Sequence, residues 1–200
     1  MTKILIAEDQ AMVRGALSAL LSLEDDIEVV AEAANGQEAL ALTEQIDVDI
    51  VLTDIEMPLM TGIELAEKLA TTKPELKTMI MTTFSRAGYI KRALKCGVMG
   101  FILKEADSEE LVEAVKNVSE GKKVFNAELA LTALDDNDPL SEKERKALKL
   151  ASDGLKTAEI AEQLFLSQGT IRNYLSEAIA KLNATNRVDA ARIARQKGWL

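Results

Sequence analysis

The stretch Ile50-Val51-Leu52-Thr53-Asp54-Ile55-Glu56-Met57-Pro58 places four apolar or β-branched residues directly before an aspartate and a proline-ended turn. A short apolar run bounded by turn residues reads as a strand buried on both faces. Runs of the same kind recur at Ile4–Ala7, Ile27–Ala31, Thr78–Thr82 and Gly100–Leu103. Between and after them, apolar residues fall at helical spacing. The five groups are Leu17, Leu20 and Leu21; Ala39, Leu40 and Thr43; Ile63, Leu65, Ala66 and Leu69; Ile90, Ala93 and Leu94; and Leu111, Ala114, Val115 and Val118. Asp107 is placed to cap the last of these helices. Strand and helix in strict alternation predict an α/β, doubly wound, five-stranded parallel sheet with helices on both faces.

In such sheets ligands bind beyond the carboxyl ends of the strands, at the switch point of the strand order. Glu8 and Asp9 end the first strand, Asp54 the third, Thr82 the fourth and Lys104 the fifth. Each alone has an ordinary explanation: a solvated acidic pair, a turn aspartate, a surface lysine. Together at successive strand ends they make a site. Three crowded carboxylates repel one another, and a hard divalent cation such as Mg²⁺ relieves that repulsion. One carboxylate beside the metal is then placed to accept a phosphoryl group, with the ammonium and hydroxyl on its oxygens.

Composition narrows the chemistry. The 200 residues contain no histidine, which excludes serine–histidine hydrolysis and histidine zinc sites. The single cysteine, Cys96, excludes an internal disulfide and any Cys-x-x-Cys site. Acids appear by position eight and no run approaches the length of a membrane span, so a cytoplasmic protein is expected. The net charge of −9 divides unevenly: residues 1–138 carry −13 and residues 139–200 carry +4. Such a contrast predicts two units with different partners. The polar run Asp135-Asp136-Asn137-Asp138-Pro139 marks the seam. We therefore expect a first domain over 1–120, a linker over 121–138 and a second domain over 139–200.

The basic end reads as four helices. Ser141 with Glu144 forms a capping box, Gly154 a helix stop, and Thr157 and Ser167 are candidate caps for the next two. The last helix spans about Arg187 to Lys197. Two short helices joined at Phe165-Leu166-Ser167 suggest a helix-turn-helix. Opposite the apolar stripe Ile171, Leu175, Ala178 and Leu182 lie Gln168, Thr170, Arg172, Asn173, Ser176 and Lys181. Arginine and asparagine can read guanine and adenine edges, while hydroxyls and lysines reach phosphates.

Residues 1–120 resemble the receiver domain of bacterial two-component response regulators, a flavodoxin-like fold. The resemblance implies that Asp54 is the phosphoacceptor and that Glu8, Asp9, Asp54 and the backbone carbonyl of Glu56 hold Mg²⁺. It implies that Lys104 binds the phosphate, and that Thr82 and Phe101 act as switch residues. Many receivers carry proline after this lysine; here Glu105 follows, and the isomer of that bond is open. Residues 139–200 resemble the LuxR-type helix-turn-helix of the NarL/FixJ response regulators. The pattern is Pro-Leu-Ser-x-x-Glu, Asp-Gly-x-x-x-x-Glu-Ile-Ala-x-x-Leu, Ser-x-x-Thr-Ile-Arg-Asn-Tyr and Lys-Leu-x-Ala-x-x-Arg. The resemblance implies double-stranded promoter DNA and a partner histidine kinase, which supplies the phosphohistidine this chain lacks. It also implies a homodimer on activation, favoured by a change that reaches the surface of the fourth helix and fifth strand; which receiver surface dimerises is open. In the last helix, Val188, Ala191 and Ala194 are the expected contact between modules. Residues 82–89 and Ile171-Arg172-Asn173-Tyr174 further resemble the subgroup regulating membrane lipid fluidity in Gram-positive bacteria.

Two other function classes fit parts of the sequence. A small phosphatase would use Asp54-Ile55-Glu56 as nucleophile and acid, but such enzymes usually carry the pair after their first strand. A constitutive DNA-binding regulator would ignore phosphorylation altogether. A flavin site is disfavoured because the first loop is acidic rather than rich in glycine and hydroxyls.

Overall fold

The computed structural model describes residues 1–83, 86–125 and 138–200. Phe84, Ser85 and the linker positions Asp135, Asp136 and Asn137 lie outside the described residues. The chain divides into two compact units, one built on a sheet and one built of helices.

The first unit alternates β1 (Thr2–Ala7), α1 (Ala11–Leu21), β2 (Ile27–Ala33), α2 (Gly36–Gln45), β3 (Ile50–Thr53), α3 (Gly62–Thr72), β4 (Lys77–Thr82), α4 (Ala87–Lys95), β5 (Gly100–Leu103) and α5 (Ser108–Ser119). All strand pairs are parallel, in the order β2-β1-β3-β4-β5-β6, where β6 is Val124–Phe125. The order reverses between β1 and β3, which sets a crevice beyond their carboxyl ends. Alternation along each strand builds two cores. Ile4 and Ile6 of β1 face α1 and α5, where Leu17, Leu21, Leu111, Val115 and Val118 pack. Leu5 and Ala7 face α2 and α3, against Ala39, Leu65 and Leu69. Being covered on both sides, β3 is buried at all four positions, which is why its sequence is a continuous apolar run.

One correction concerns the sheet edge. The expected five strands are six, because Val124–Phe125 forms β6 inside the stretch assigned to the linker. Gly100 pairs with Val124 and Phe101 with Phe125. Gly121, at φ 83°, turns the chain out of α5 and returns two β-prone residues to the open edge of β5. The Lys104–Glu105 bond is trans.

The second unit comprises α6 (Glu142–Ser152), α7 (Thr157–Gln163), α8 (Gln168–Lys181) and α9 (Arg187–Lys197). Ser141 and Ser167 cap α6 and α8 as expected, through the Glu144 and Thr170 backbone N–H groups. The cap of α7 moves one residue back to Lys156, whose N–H donates to the Glu159 carboxylate at 2.6 Å. Ile160, Ile171, Leu175, Ala178, Leu148 and Trp199 meet in one core. A second correction falls on α9. Ala191 and Ala194 are buried in that same core, leaving Val188 of the three expected contact residues exposed. They lie three residues apart beside Ala190, on the stripe that α9 needs for its own packing.

Candidate functional site

The carboxyl ends of β1, β3, β4 and β5 bring the predicted groups together. In register, Ala7 pairs with Thr53, so Glu8 and Asp54 leave their strands side by side. The Asp54 N–H donates to the Ala7 carbonyl at 2.9 Å, tying the two ends. Thr82 pairs with Leu103, and its carbonyl accepts from the Lys104 N–H at 2.9 Å. Glu8 and Asp54 are buried, Asp9 is exposed, and one carboxylate oxygen from each lies within 4.8 Å of the others. That is a set of hard oxygen donors on a short arc, and it suits a divalent cation that keeps some of its waters.

Lys104 closes the arrangement. Its Nζ donates to Glu8 Oε2 at 2.6 Å and to Asp54 Oδ2 at 3.0 Å. The second Asp54 oxygen accepts from the Ile55 N–H at 2.7 Å. Burial pushes the Glu8 carboxyl up from its ordinary range, and the bonds from Lys104 and the Gln10 N–H only partly offset this. Burial acts on Lys104 in the opposite sense, yet the Glu8 bond and the Asp54 charge outweigh it and hold the ammonium above its usual value. A buried acid reluctant to ionise beside a firmly charged lysine is a site arranged for an added positive charge.

Thr82 is fully buried at the end of β4, and Phe101 is buried on β5 beside Ile80. Glu56 projects its side chain outward two residues past Asp54, in the loop before α3.

Three contributors have no local signature. Arg14, one turn into α1, donates from Nη1 to the Glu8 carbonyl at 2.6 Å and holds the acidic β1–α1 loop. The Thr53 hydroxyl donates to the Asp54 carbonyl at 2.9 Å. Gly62 opens α3 so close behind Asp54 that a Cβ there would sit 1.9 Å from the Asp54 carbonyl oxygen. Arginine five residues after an acidic pair and glycine eight after an aspartate are the only traces these leave in the sequence.

In the second unit, Gln168, Arg172, Asn173 and Ser176 share one exposed face of α8. Thr170 is half-buried, with its hydroxyl 2.8 Å from the Ser167 hydroxyl at the helix cap. Lys181 is drawn elsewhere: its Nζ lies 2.8 Å from both carboxylate oxygens of Glu144. Among the described residues, no helix is long and apolar enough to cross a membrane.

Comparison with known proteins covers both units. The response regulator receiver domain profile matches residues 4–116. The profile for bacterial regulatory proteins of the luxR family matches residues 138–194. The chain is 45% identical over 200 residues to the uncharacterized transcriptional regulatory protein YvfU of Bacillus subtilis (strain 168), covering all of both chains. It is 44% identical over 199 residues to the transcriptional regulatory protein DesR of the same strain, covering 100% of this chain and 99% of the other. Among solved structures, that of the response regulator ChrA of a heme-sensing two-component system is 32% identical. The match has a TM-score of 0.55 and covers 99% of this chain and 98% of that one.

Proposed function

Because the chain belongs to the two-component response regulators, with a receiver domain followed by a LuxR-type DNA-binding domain, we propose that phosphorylation of Asp54 controls its binding to promoter DNA. The observation that carries this is the Lys104 ammonium held between the Glu8 and Asp54 carboxylates at a single strand-end crevice.

Asp54 presents Oδ2 as the nucleophile: the Ile55 N–H holds Oδ1, and Oδ2 is held by the Lys104 ammonium, a contact that can pass to the incoming phosphoryl group. As the Asp54 oxygen bonds to phosphorus, the phosphorus–nitrogen bond of a partner kinase's phosphohistidine breaks and the departing imidazole takes up a proton. Lys104 then exchanges its carboxylate contact for a phosphoryl oxygen, a charge-assisted bond of the same kind. The buried Thr82 hydroxyl supplies a further donor from the neighbouring strand. Mg²⁺ on Glu8, Asp9, Asp54 and the Glu56 carbonyl would supply positive charge to the transferring group. Hydrolysis of the aspartyl phosphate at the same centre returns the protein to its resting state.

Repositioning of Thr82 and Phe101 would alter the surface of α4 and β5 and favour a homodimer. Two helix-turn-helix modules then address one duplex, with Gln168, Thr170, Arg172, Asn173 and Ser176 as the candidate contacts on α8. We assign residues 1–120 to the phosphorylated domain and 139–200 to the DNA-reading one, and place the protein in the cytoplasm. The test is direct: incubation with acetyl phosphate and Mg²⁺ should add the mass of one phosphoryl group to the wild type and none to Asp54→Asn. A folded wild type that gains no phosphoryl group overturns the proposal.

A further inference from the structure

We propose that Lys181 is a positioning residue of the DNA-reading helix: it fixes the end of α8 on the buried carboxylate of Glu144 instead of binding a DNA phosphate. This rests on the reading of α8 as the helix that meets DNA.

Glu144 is 2% exposed, yet it carries a charge. One of its oxygens completes the capping box of α6 by accepting from the Ser141 N–H at 2.8 Å. Both oxygens also accept from Lys181 Nζ, at 2.8 Å each. A buried carboxylate without a cation is costly, so the lysine is held where the carboxylate is. The two residues are 37 positions apart, and the bond joins the first turn of α6 to the last turn of α8. It therefore sets how far that end of the reading helix stands from the helix beneath it.

The surroundings argue against a phosphate ligand. Glu177, four residues before Lys181 on the same helix, is exposed and adds a negative charge to that end of α8. The Glu144 carboxylate already balances the Lys181 ammonium, so little positive charge is left at that corner of α8 to attract a phosphate. Arg172, by contrast, is exposed and forms no salt bridge among the described residues; its Nε donates only weakly to the Gln168 carbonyl at 3.4 Å. Arg172 has a charge to spend on DNA and Lys181 does not.

The experiment uses the full chain and a fluorescent duplex enriched by the wild type from a random-sequence pool, with a scrambled duplex of equal length as the non-specific probe. Affinities are measured across a salt series at 10 °C, where circular dichroism reports each variant folded. For Lys181→Gln the ratio of specific to non-specific affinity should fall about tenfold, the scale of one lost base contact, while the salt slope stays at the wild-type value. Lys181→Arg should restore the ratio. Arg172→Gln, which removes an exposed cation from the reading face, should lower the slope. If Lys181→Gln lowers the slope in the same way, the lysine binds phosphate and the proposal is overturned. An unchanged ratio in a folded variant overturns it too, since the pair would then only stabilise the fold. Should Lys181→Gln not fold, Glu144→Gln keeps the helix cap and breaks the same pair, and the same outcomes apply to it. If the wild type enriches no duplex, it is the DNA-binding reading that has failed, before Lys181 is tested.

Discussion

The Lys104 ammonium stands 3.0 Å from the Asp54 carboxylate and 2.6 Å from that of Glu8, so one side chain bridges two buried acids at the ends of different strands. Its removal is therefore informative. Lys104→Met should destabilise the receiver by roughly 3 kcal/mol in Mg²⁺-free buffer, because it strands buried charge. Adding Glu8→Gln should recover much of that loss. Urea unfolding followed by circular dichroism measures both; additive losses in the double variant would show that the pair is not coupled.

Gly62 tests how tightly α3 closes behind the site. A Cβ would lie 1.9 Å from the Asp54 carbonyl oxygen and 2.8 Å from the Thr53 hydroxyl oxygen. Backbone cannot give way as a flexible side chain does. Gly62→Ala should cost about 1–3 kcal/mol in urea unfolding and slow phosphorylation of Asp54 by displacing its backbone. Wild-type stability and phosphorylation rate in this variant would contradict that packing.

Leu59, 81% exposed, holds φ at 65°, a left-handed conformation that costs a bulky residue roughly 1–2 kcal/mol. Glycine relieves the clash but loses more chain entropy on folding. Leu59→Gly should thus stabilise the receiver by about 0.5–1 kcal/mol. A lower melting temperature would count against a left-handed Leu59.

Glu144 supplies a pH dependence. Burial pushes its carboxyl up, but the bonds from Lys181 and Ser141 outweigh that and hold it below the ordinary value of 4.5. A carboxyl depressed in the folded state contributes stability that is present above its unfolded value and lost as pH falls through its folded one. The one tryptophan, Trp199, is buried in the same core and reports on this unit alone. Its fluorescence in acid titrations under urea should show wild type losing stability below about pH 4.5, and Glu144→Gln lacking that part of the loss.

Legibility in the sequence followed the range of the interaction. Strands β1, β3, β4 and β5 announce themselves because burial leaves a nearly continuous apolar run, whereas β2, at the sheet edge, is buried only at its two ends. The two residues of β6 are too few to carry any pattern, and they pair only because α5 delivers them to an open edge. Glu8, Asp54, Thr82 and Lys104 are readable because strand ends converge in a parallel sheet. Arg14 and Gly62 escape, since each acts on a backbone atom that comes near only after folding. Lys181 sits on the polar side of α8 by helical geometry, and its attachment to Glu144 depends on a neighbouring helix that periodicity cannot supply.

The central claim is that Asp54 chemistry governs DNA binding, and the most direct measurement is duplex affinity with and without a phosphodonor. With the duplex enriched by the wild type, acetyl phosphate and Mg²⁺ should tighten binding by the wild type and leave Asp54→Asn unchanged. Equal affinity in all four conditions would contradict the account and leave a DNA-binding protein whose receiver does not control it.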